Sequence, residues 1–244
     1  MSQRRIAYAI LNIFHRAPVS TILIFALLFH WKMAYAIVQD RPYDEAVSLG
    51  YSCQVAQQLN DNGIRHQAYP FDWMLSSAEG LILFIHYAGA GFLDLDKIAI
   101  EERVAGTNIL IVADTLYGFR LLHDFYDPFD TFYPIVKQKY ERRIARFFNL
   151  LRSNKKVLFV RIQFTREQAE LLDFILHTLY PQLTYTILAL NPEPQADWGL
   201  ERVKNLQLHQ IPDVWYGDHT RWREILSQFN VKPSPNPPQL PTGE

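Results

Sequence analysis

A single cysteine, Cys53, occurs in this chain of 244 residues, so an internal disulfide cannot form. The cysteine and the eight histidines show no Cys-x-x-Cys or His-x-x-x-His spacing, which argues against a clustered metal site. The net charge of −1 gives no overall basic character of the kind that binds nucleic acid. The body of the chain contains no glycine-rich phosphate loop and no apolar run of transmembrane length. We therefore expect no cofactor, no metal and no nucleic acid partner.

The apolar content is sufficient for one buried core, since 49% of the residues are hydrophobic and 14% are aromatic. We predict a single domain over residues 44–230. A signal-like or membrane-surface segment over residues 1–40 precedes it. A proline-rich tail over residues 231–244 follows it, and we predict that this tail is disordered because its prolines lack hydrogen-bond donors.

The N-terminal segment has three interpretations. Basic residues precede the apolar run 19–29, and the segment 34–36 fits a signal cleavage site, which would make the protein exported. Residues 1–36 would alternatively attach the protein to a membrane surface. If Met33 is the true initiator, residues 1–32 have no role and the protein is cytoplasmic.

Short apolar segments alternate with amphipathic ones along the body. Capping-box spacing at Ser76 and Glu79, and again at Thr165 and Gln168, predicts two helix starts. We predict an α/β fold with a largely parallel sheet and helices on both faces, in three layers. The segments with strand composition are 47–50, 108–112, 120–125, 156–162, 185–190 and 206–211.

Cys53 lies where a predicted strand gives way to an amphipathic helix. The strand ends at Gly50, and the helix opens at Ser52 or Cys53. A helix start presents unpaired backbone N–H groups and the positive end of the helix dipole, and both favour a thiolate. Cys53 is therefore a candidate nucleophile, and the alternative is that it is a small buried apolar residue.

A thiol nucleophile needs a base, which is usually histidine. His123 is the first candidate because it lies at an element end, in a segment far along the chain from Cys53. His219 is the second candidate. Asp72 is the first candidate to orient the histidine, and its structural alternative is to cap a turn. Asp124 can orient His123 only if the backbone turns there, since neighbours on a strand point to opposite faces.

Two further residues are candidates for the site. Trp73 follows Asp72 within the unusual Pro-Phe-Asp-Trp segment 70–73. Arg161 ends a very apolar predicted strand, and a buried arginine must be paired. Because Cys53 and Arg161 both follow or end predicted strands, we expect them to converge at the carboxyl ends of the sheet, where such folds bind ligands.

Five motifs together give the chain a specific resemblance: 48–53, 70–73, 123–125, 139–143 and 157–161. Over residues 44–229 the chain resembles the DUF1796 family of papain-like cysteine peptidases. The resemblance implies that Cys53 is the nucleophile and that a later histidine, here His123, is the base.

We therefore expect a cysteine-dependent hydrolase of peptidase type, or an acyltransferase, that acts on a peptide or other acyl substrate. Cys53, His123 and Asp72 are its candidate catalytic residues. The alternative is a non-catalytic α/β domain that binds a glycan, a nucleotide or another anionic ligand at the strand ends. Arg161 and Asp72 would then be the ligand contacts, and Cys53 would serve packing.

Overall fold

The computed structural model describes residues 41–235, and these residues contain a parallel sheet of four strands. All seven residues of the segment predicted as a strand at 156–162 are buried, as expected for a strand that is covered on both faces. In spatial order the strands are β1 (Glu45–Ser48), β6 (Lys156–Ile162), β7 (Thr184–Asn191) and β8 (Val203–Gln207).

The expected parallel sheet with helices is present, but a second sheet of four strands is antiparallel, so the strands do not all belong to one largely parallel sheet. Connections of only a few residues join three of its strands, and a parallel pair would need a much longer crossover. Gly106 and Gly118 adopt φ values of 75° and 67° in these connections. In spatial order the strands are β2 (Met74–Leu75), β5 (Phe119–Tyr126), β4 (Ile109–Asp114) and β3 (Ile98–Arg103).

Five α-helices lie within residues 41–235. The capping box predicted at Thr165 and Gln168 is confirmed. The one predicted at Ser76 and Glu79 is wrong by one residue, because Ser77 caps the helix by accepting from a first-turn N–H. The helices are α1 (Cys53–Asp61), α2 (Ala78–His86), α3 (Phe129–Leu151), α4 (Arg166–Leu179) and α5 (His219–Leu226).

Helices cover both faces of the parallel sheet. On one face Trp222 of α5 packs in a cluster with Leu158 of β6 and with the apolar side of α1. On the other face Phe159 of β6 joins a larger cluster with Phe147 of α3 and the inward residues of the antiparallel sheet. Since side chains alternate along a strand, Arg161 lies on the same face as Phe159, towards the antiparallel sheet.

The beginning of the C-terminal segment is held against the domain. Val231 forms a bridge with Tyr43, and the Ser234 N–H donates to the Gly63 carbonyl at 2.7 Å. The signal-like segment over residues 1–40 and the rest of the proline-rich tail, 236–244, lie outside the described residues. Within residues 41–235, no helix combines the length and the apolar character needed to cross a membrane.

Candidate active site

Cys53 is the first residue of α1, as the sequence predicts. Ser52 is extended, and its hydroxyl caps the helix by accepting from the Gln54 N–H. The turn between β1 and Ser52 is left-handed at two successive residues, Gly50 with φ 78° and Tyr51 with φ 77°. A positive φ is a strained conformation for tyrosine, and such strain persists only where the surroundings hold it.

Ser76, which lies directly after β2, holds this turn in place. Its hydroxyl accepts from the Tyr51 N–H at 3.0 Å, and its own N–H donates to the Tyr51 carbonyl at 3.3 Å. A Cβ at Gly50 would lie 2.4 Å from the Ser76 hydroxyl, so only glycine fits there without displacement. The position of Cys53 therefore depends on β2 as well as on its own strand.

Cys53 opens onto a cleft of about 660 Å³. The lining side chains come from the start of α1, the β2 region, β5 and the loop between β8 and α5. Most of them are apolar or aromatic. The His123 imidazole is the only ionisable group among them besides the Cys53 thiol, and no carboxylate, lysine or arginine lines the cleft. They are Ser52, Cys53, Trp73, Leu75, Leu122, His123 and Trp215.

His123 reaches this cleft because β5 is irregular. The register against β4 shifts between Leu121 and Phe125, where three residues of β5 face a single residue of β4. His123 and Asp124 lie in this bulge, and His123 is exposed whereas Asp124 is buried. Bulges of this kind re-aim side chains near functional sites. Among residues 41–235 the His123 ring has no hydrogen-bond partner, so it is free to meet a ligand.

Asp124 is engaged elsewhere. Its carboxylate forms an ion pair with Lys139 and accepts a hydrogen bond from the Tyr140 hydroxyl at 2.6 Å. Both partners belong to α3, so Asp124 joins the bulge of β5 to that helix. The backbone does turn at this point, but the carboxylate does not bond to the imidazole of His123.

Asp72 lies under the site and does not line the cleft. It is fully buried, and its Oδ2 accepts from the Arg65 Nη2 at 2.7 Å and from the Tyr69 N–H at 3.0 Å. Burial raises the pKa of Asp72, although Arg65 acts in the opposite direction. The guanidinium of Arg65 in turn lies over the Trp73 ring, 5.6 Å from its centroid. Asp72 therefore closes a turn and supports the Trp73 wall, and within residues 41–235 it makes no bond to a histidine.

The thiol of Cys53 is half-buried, and this burial raises its pKa. The carboxylates of Asp124 and Asp72 raise it further, whereas the Cys53 backbone N–H acts in the opposite direction. The backbone contribution at the helix start thus favours the thiolate, as expected, but burial outweighs it and the pKa of Cys53 is raised overall. Removal of the thiol proton by a base is therefore the step on which reactivity of Cys53 depends.

Arg161 is 1% exposed and lies behind the site. Its Nη1 donates to the Leu49 carbonyl at 2.6 Å and to the Ser76 hydroxyl at 3.2 Å, and its Nη2 donates to the Ser76 carbonyl at 2.7 Å. Arg161 is thus paired, as a buried arginine must be, but its partners are neutral oxygens. By these bonds it joins the end of β1 to the segment after β2.

His219 is not brought to the cysteine. Its Nδ1 lies 3.0 Å from Gln58 Nε2 and 3.5 Å from Asp61 Oδ2. These residues are at the far end of α1 from Cys53, about 8–12 Å along the helix at 1.5 Å per residue. The ring is stacked on Tyr216, with 4.8 Å between centroids. His219 is therefore a packing residue of the α1–α5 contact.

Three wall residues, Leu75, Leu122 and Trp215, and one support, Ser76, were missed by sequence reasoning. Trp215 is 58% exposed in the loop before α5, and an exposed tryptophan in a polar segment is the signal that marks it. Leu122 adjoins His123 and carries no separate signal. Ser76 was assigned to a helix cap, although its hydroxyl serves Tyr51 and Arg161 instead.

The cleft, with its cysteine at a helix start and its histidine on a bulged strand, lies in a mixed α/β domain. The chain belongs to the family described as "Putative papain-like cysteine peptidase (DUF1796)", whose model matches residues 44–190. It is also similar to "Uncharacterized protein R408" of Acanthamoeba polyphaga mimivirus, with 29% identity over 215 residues, 74% of this chain and 96% of that protein. No solved structure matches the chain significantly.

Proposed function

We propose that the protein is a cysteine-dependent hydrolase or acyltransferase in which Cys53 and His123 form the reacting pair. The observation that carries the proposal is that these two side chains, from α1 and from the bulge of β5, line one open cleft. Membership of a family described in terms of cysteine peptidases supports it.

The raised pKa of Cys53 is the reason that the proposed mechanism begins with a proton transfer from the thiol. His123 takes the thiol proton as Sγ attacks the carbonyl carbon of the substrate. Backbone N–H groups at the start of α1 stabilise the oxyanion that forms. As the tetrahedral intermediate collapses, His123 gives its proton to the leaving group, and a thioester remains on Cys53. Water, or the acceptor in an acyltransferase, then attacks the thioester while His123 takes its proton; the C–S bond breaks, the acyl product leaves, and His123 returns the proton to Sγ of Cys53.

The walls of the cleft favour an apolar acyl group. Trp73, Leu75, Leu122 and Trp215 offer aromatic and aliphatic surface, and such surface binds uncharged, bulky side chains next to the attacked carbonyl. Asp72 acts here as a positioning residue, since it holds the Arg65 guanidinium that lies over Trp73. Peptides with an apolar or aromatic residue at this point are the proposed substrates.

The reactivity of the single cysteine tests the pair directly, because Cys53 is the only thiol of the chain and its alkylation by iodoacetamide can be followed by loss of that thiol. If His123 removes the thiol proton, His123→Ala slows alkylation at neutral pH by about tenfold or more, within the range expected for loss of a general base. His219→Ala is the matched control, since His219 contacts α1 away from Cys53, and should react like the wild type. Equal rates for the wild type and His123→Ala would refute the pair.

Turnover is tested with fluorogenic peptides that carry aromatic or small residues before the cleaved bond. Cys53→Ser should remove hydrolysis of every peptide that the wild type cleaves, while the variant keeps its melting temperature. Activity that survives in Cys53→Ser would mean that the chemistry lies elsewhere in the protein.

A further inference from the structure

A second cavity, of about 340 Å³, lies next to the Cys53 cleft, and Leu75 lines both. It lies at the carboxyl ends of the neighbouring parallel strands β1 and β6, the place where α/β sheets bind ligands. Most of the residues that line it carry polar side chains, in contrast to those of the cleft. The lining residues are Tyr51, Leu75, Ser76, Ser77, Ala78, Glu79, Gly118, Arg161, Gln163 and Gln168.

Arg161 is the one cationic residue that lines this cavity, and within residues 41–235 it forms no ion pair. A guanidinium has five N–H donors. The described residues accept from three of them, through Leu49 and Ser76, and the Nε–H makes no hydrogen bond. A side chain that is 1% exposed thus keeps a full charge and unused donors.

The electrostatics agree with an unsatisfied cation. Burial lowers the pKa of Arg161 to about 10, and the carboxylate of Glu79 raises it again only in part. Glu79 lies on the same wall, but it is held by Gln168, whose Nε2 donates to it at 2.7 Å. The ring of Phe164 covers one side of the guanidinium, with 5.5 Å from Cζ to the ring centroid.

The amino ends of two helices on the cavity wall also favour binding of an anion. Ser77 and Ala78 begin α2, and Gln168 lies in the first turn of α4. The amino ends of helices carry partial positive charge and favour anions. A volume of about 340 Å³ is at the lower end of the range for small-molecule sites.

We propose that this cavity binds an oxyanion group, a carboxylate or a phosphate, of a small ligand, with Arg161 as its principal contact. An oxyanion of this kind uses paired guanidinium donors and supplies the missing negative charge. The site is independent of the reactivity of Cys53. Because Leu75 separates the two spaces, a ligand held here lies beside whatever occupies the cleft.

Equilibrium binding to the full chain tests the proposal, with inorganic phosphate and acetate as separate probes and chloride at matched ionic strength as the reference. Saturable binding of phosphate alone assigns a phosphate site, and saturable binding of acetate assigns a carboxylate site. If neither probe binds beyond the chloride reference, the proposal is overturned.

Two variants should move the affinity in opposite directions. Arg161→Met weakens binding by about tenfold or more, as expected for loss of a charged hydrogen-bond donor. Glu79→Gln, on an exposed residue, strengthens binding by about two- to fivefold because it removes a nearby negative charge. Arg103→Gln is the matched control for loss of a positive charge, since Arg103 is paired with Asp127 outside this cavity.

Arg161 also ties Leu49 to Ser76, so its replacement can impair folding. Gln163→Glu keeps the test decisive in that case, because it places a carboxylate on the cavity wall and should weaken binding of both probes. Unchanged affinity in both Glu79→Gln and Gln163→Glu would overturn the site. Cys53→Ser should bind the probes like the wild type, which separates this site from the proposed thiol chemistry.

Discussion

The sulfur of Cys53 is subject to two opposing influences. Its place at the first residue of α1 favours the thiolate, because backbone N–H groups there point towards the side chain. Burial and the nearby carboxylates of Asp124 and Asp72 oppose ionisation and raise the pKa. The second set dominates and the pKa of Cys53 is raised, so ionisation of the thiol is favoured by a nearby proton acceptor. This is why the base, rather than the cysteine alone, decides whether the site can react.

The carboxylate of Asp124 offers a direct test of this balance. Replacing it in Asp124→Asn removes a negative charge that raises the pKa of Cys53, so the pKa falls and the thiolate fraction at a given pH rises. In a His123→Ala background, the pH profile of iodoacetamide alkylation should therefore shift to lower pH. Asp127→Asn, at an exposed carboxylate paired with Arg103, is the control and should leave the profile unchanged. A shift to higher pH in Asp124→Asn would contradict the assigned electrostatics.

Among the elements, the turn between β1 and α1 most directly sets the position of the thiol. Gly50 combines a φ of 78° with close contact to Ser76 and Phe71. In Gly50→Ala the new methyl group meets both neighbours, and the left-handed conformation adds its own cost. We expect a loss of about 2–4 kcal/mol in the free energy of unfolding, measured by urea denaturation.

Gly63 provides the matched comparison. It has a φ of 68°, but nothing lies within 4 Å of its added Cβ. Gly63→Ala should therefore show only the cost of the left-handed conformation, about 1–2 kcal/mol. If the two variants lost equal stability, packing against Ser76 would not be what fixes the turn.

The elements also show where sequence patterns are informative. β6 and the start of α4 were predicted because a continuous apolar run and a capping box are local signals. The antiparallel sheet was not predicted. Polar and apolar residues alternate only weakly in 98–103, and the direction of a strand depends on its pairing with other parts of the chain. The bulge that directs His123 into the cleft and Asp124 towards α3 arises from a shift in register between β4 and β5. The sequence of either strand alone does not show such a shift.

At the scale of the whole molecule, the cleft is assembled from parts that are distant in sequence. The floor of the cleft comes from the β1–α1 junction, and one of its walls comes from β5. Trp215 belongs to the loop before α5, beyond the residues 44–190 that match the family model. The candidate nucleophile and base could be named from sequence motifs. The wall at Trp215 could not, because only the packing of α5 against the parallel sheet brings that loop to Cys53.

Two tryptophans of this C-terminal region should separate folding from recognition. Trp222 is fully buried, so Trp222→Ala is expected to cost about 3–5 kcal/mol in stability. Trp215 is 58% exposed, and Trp215→Ala should change stability by only about 0.5 kcal/mol. The cleft in that variant loses an aromatic wall. The ratio of Cys53 alkylation rates with N-phenyl iodoacetamide and with iodoacetamide should therefore fall by about two- to tenfold. An unchanged ratio would mean that Trp215 does not contact the group next to the reacting carbon.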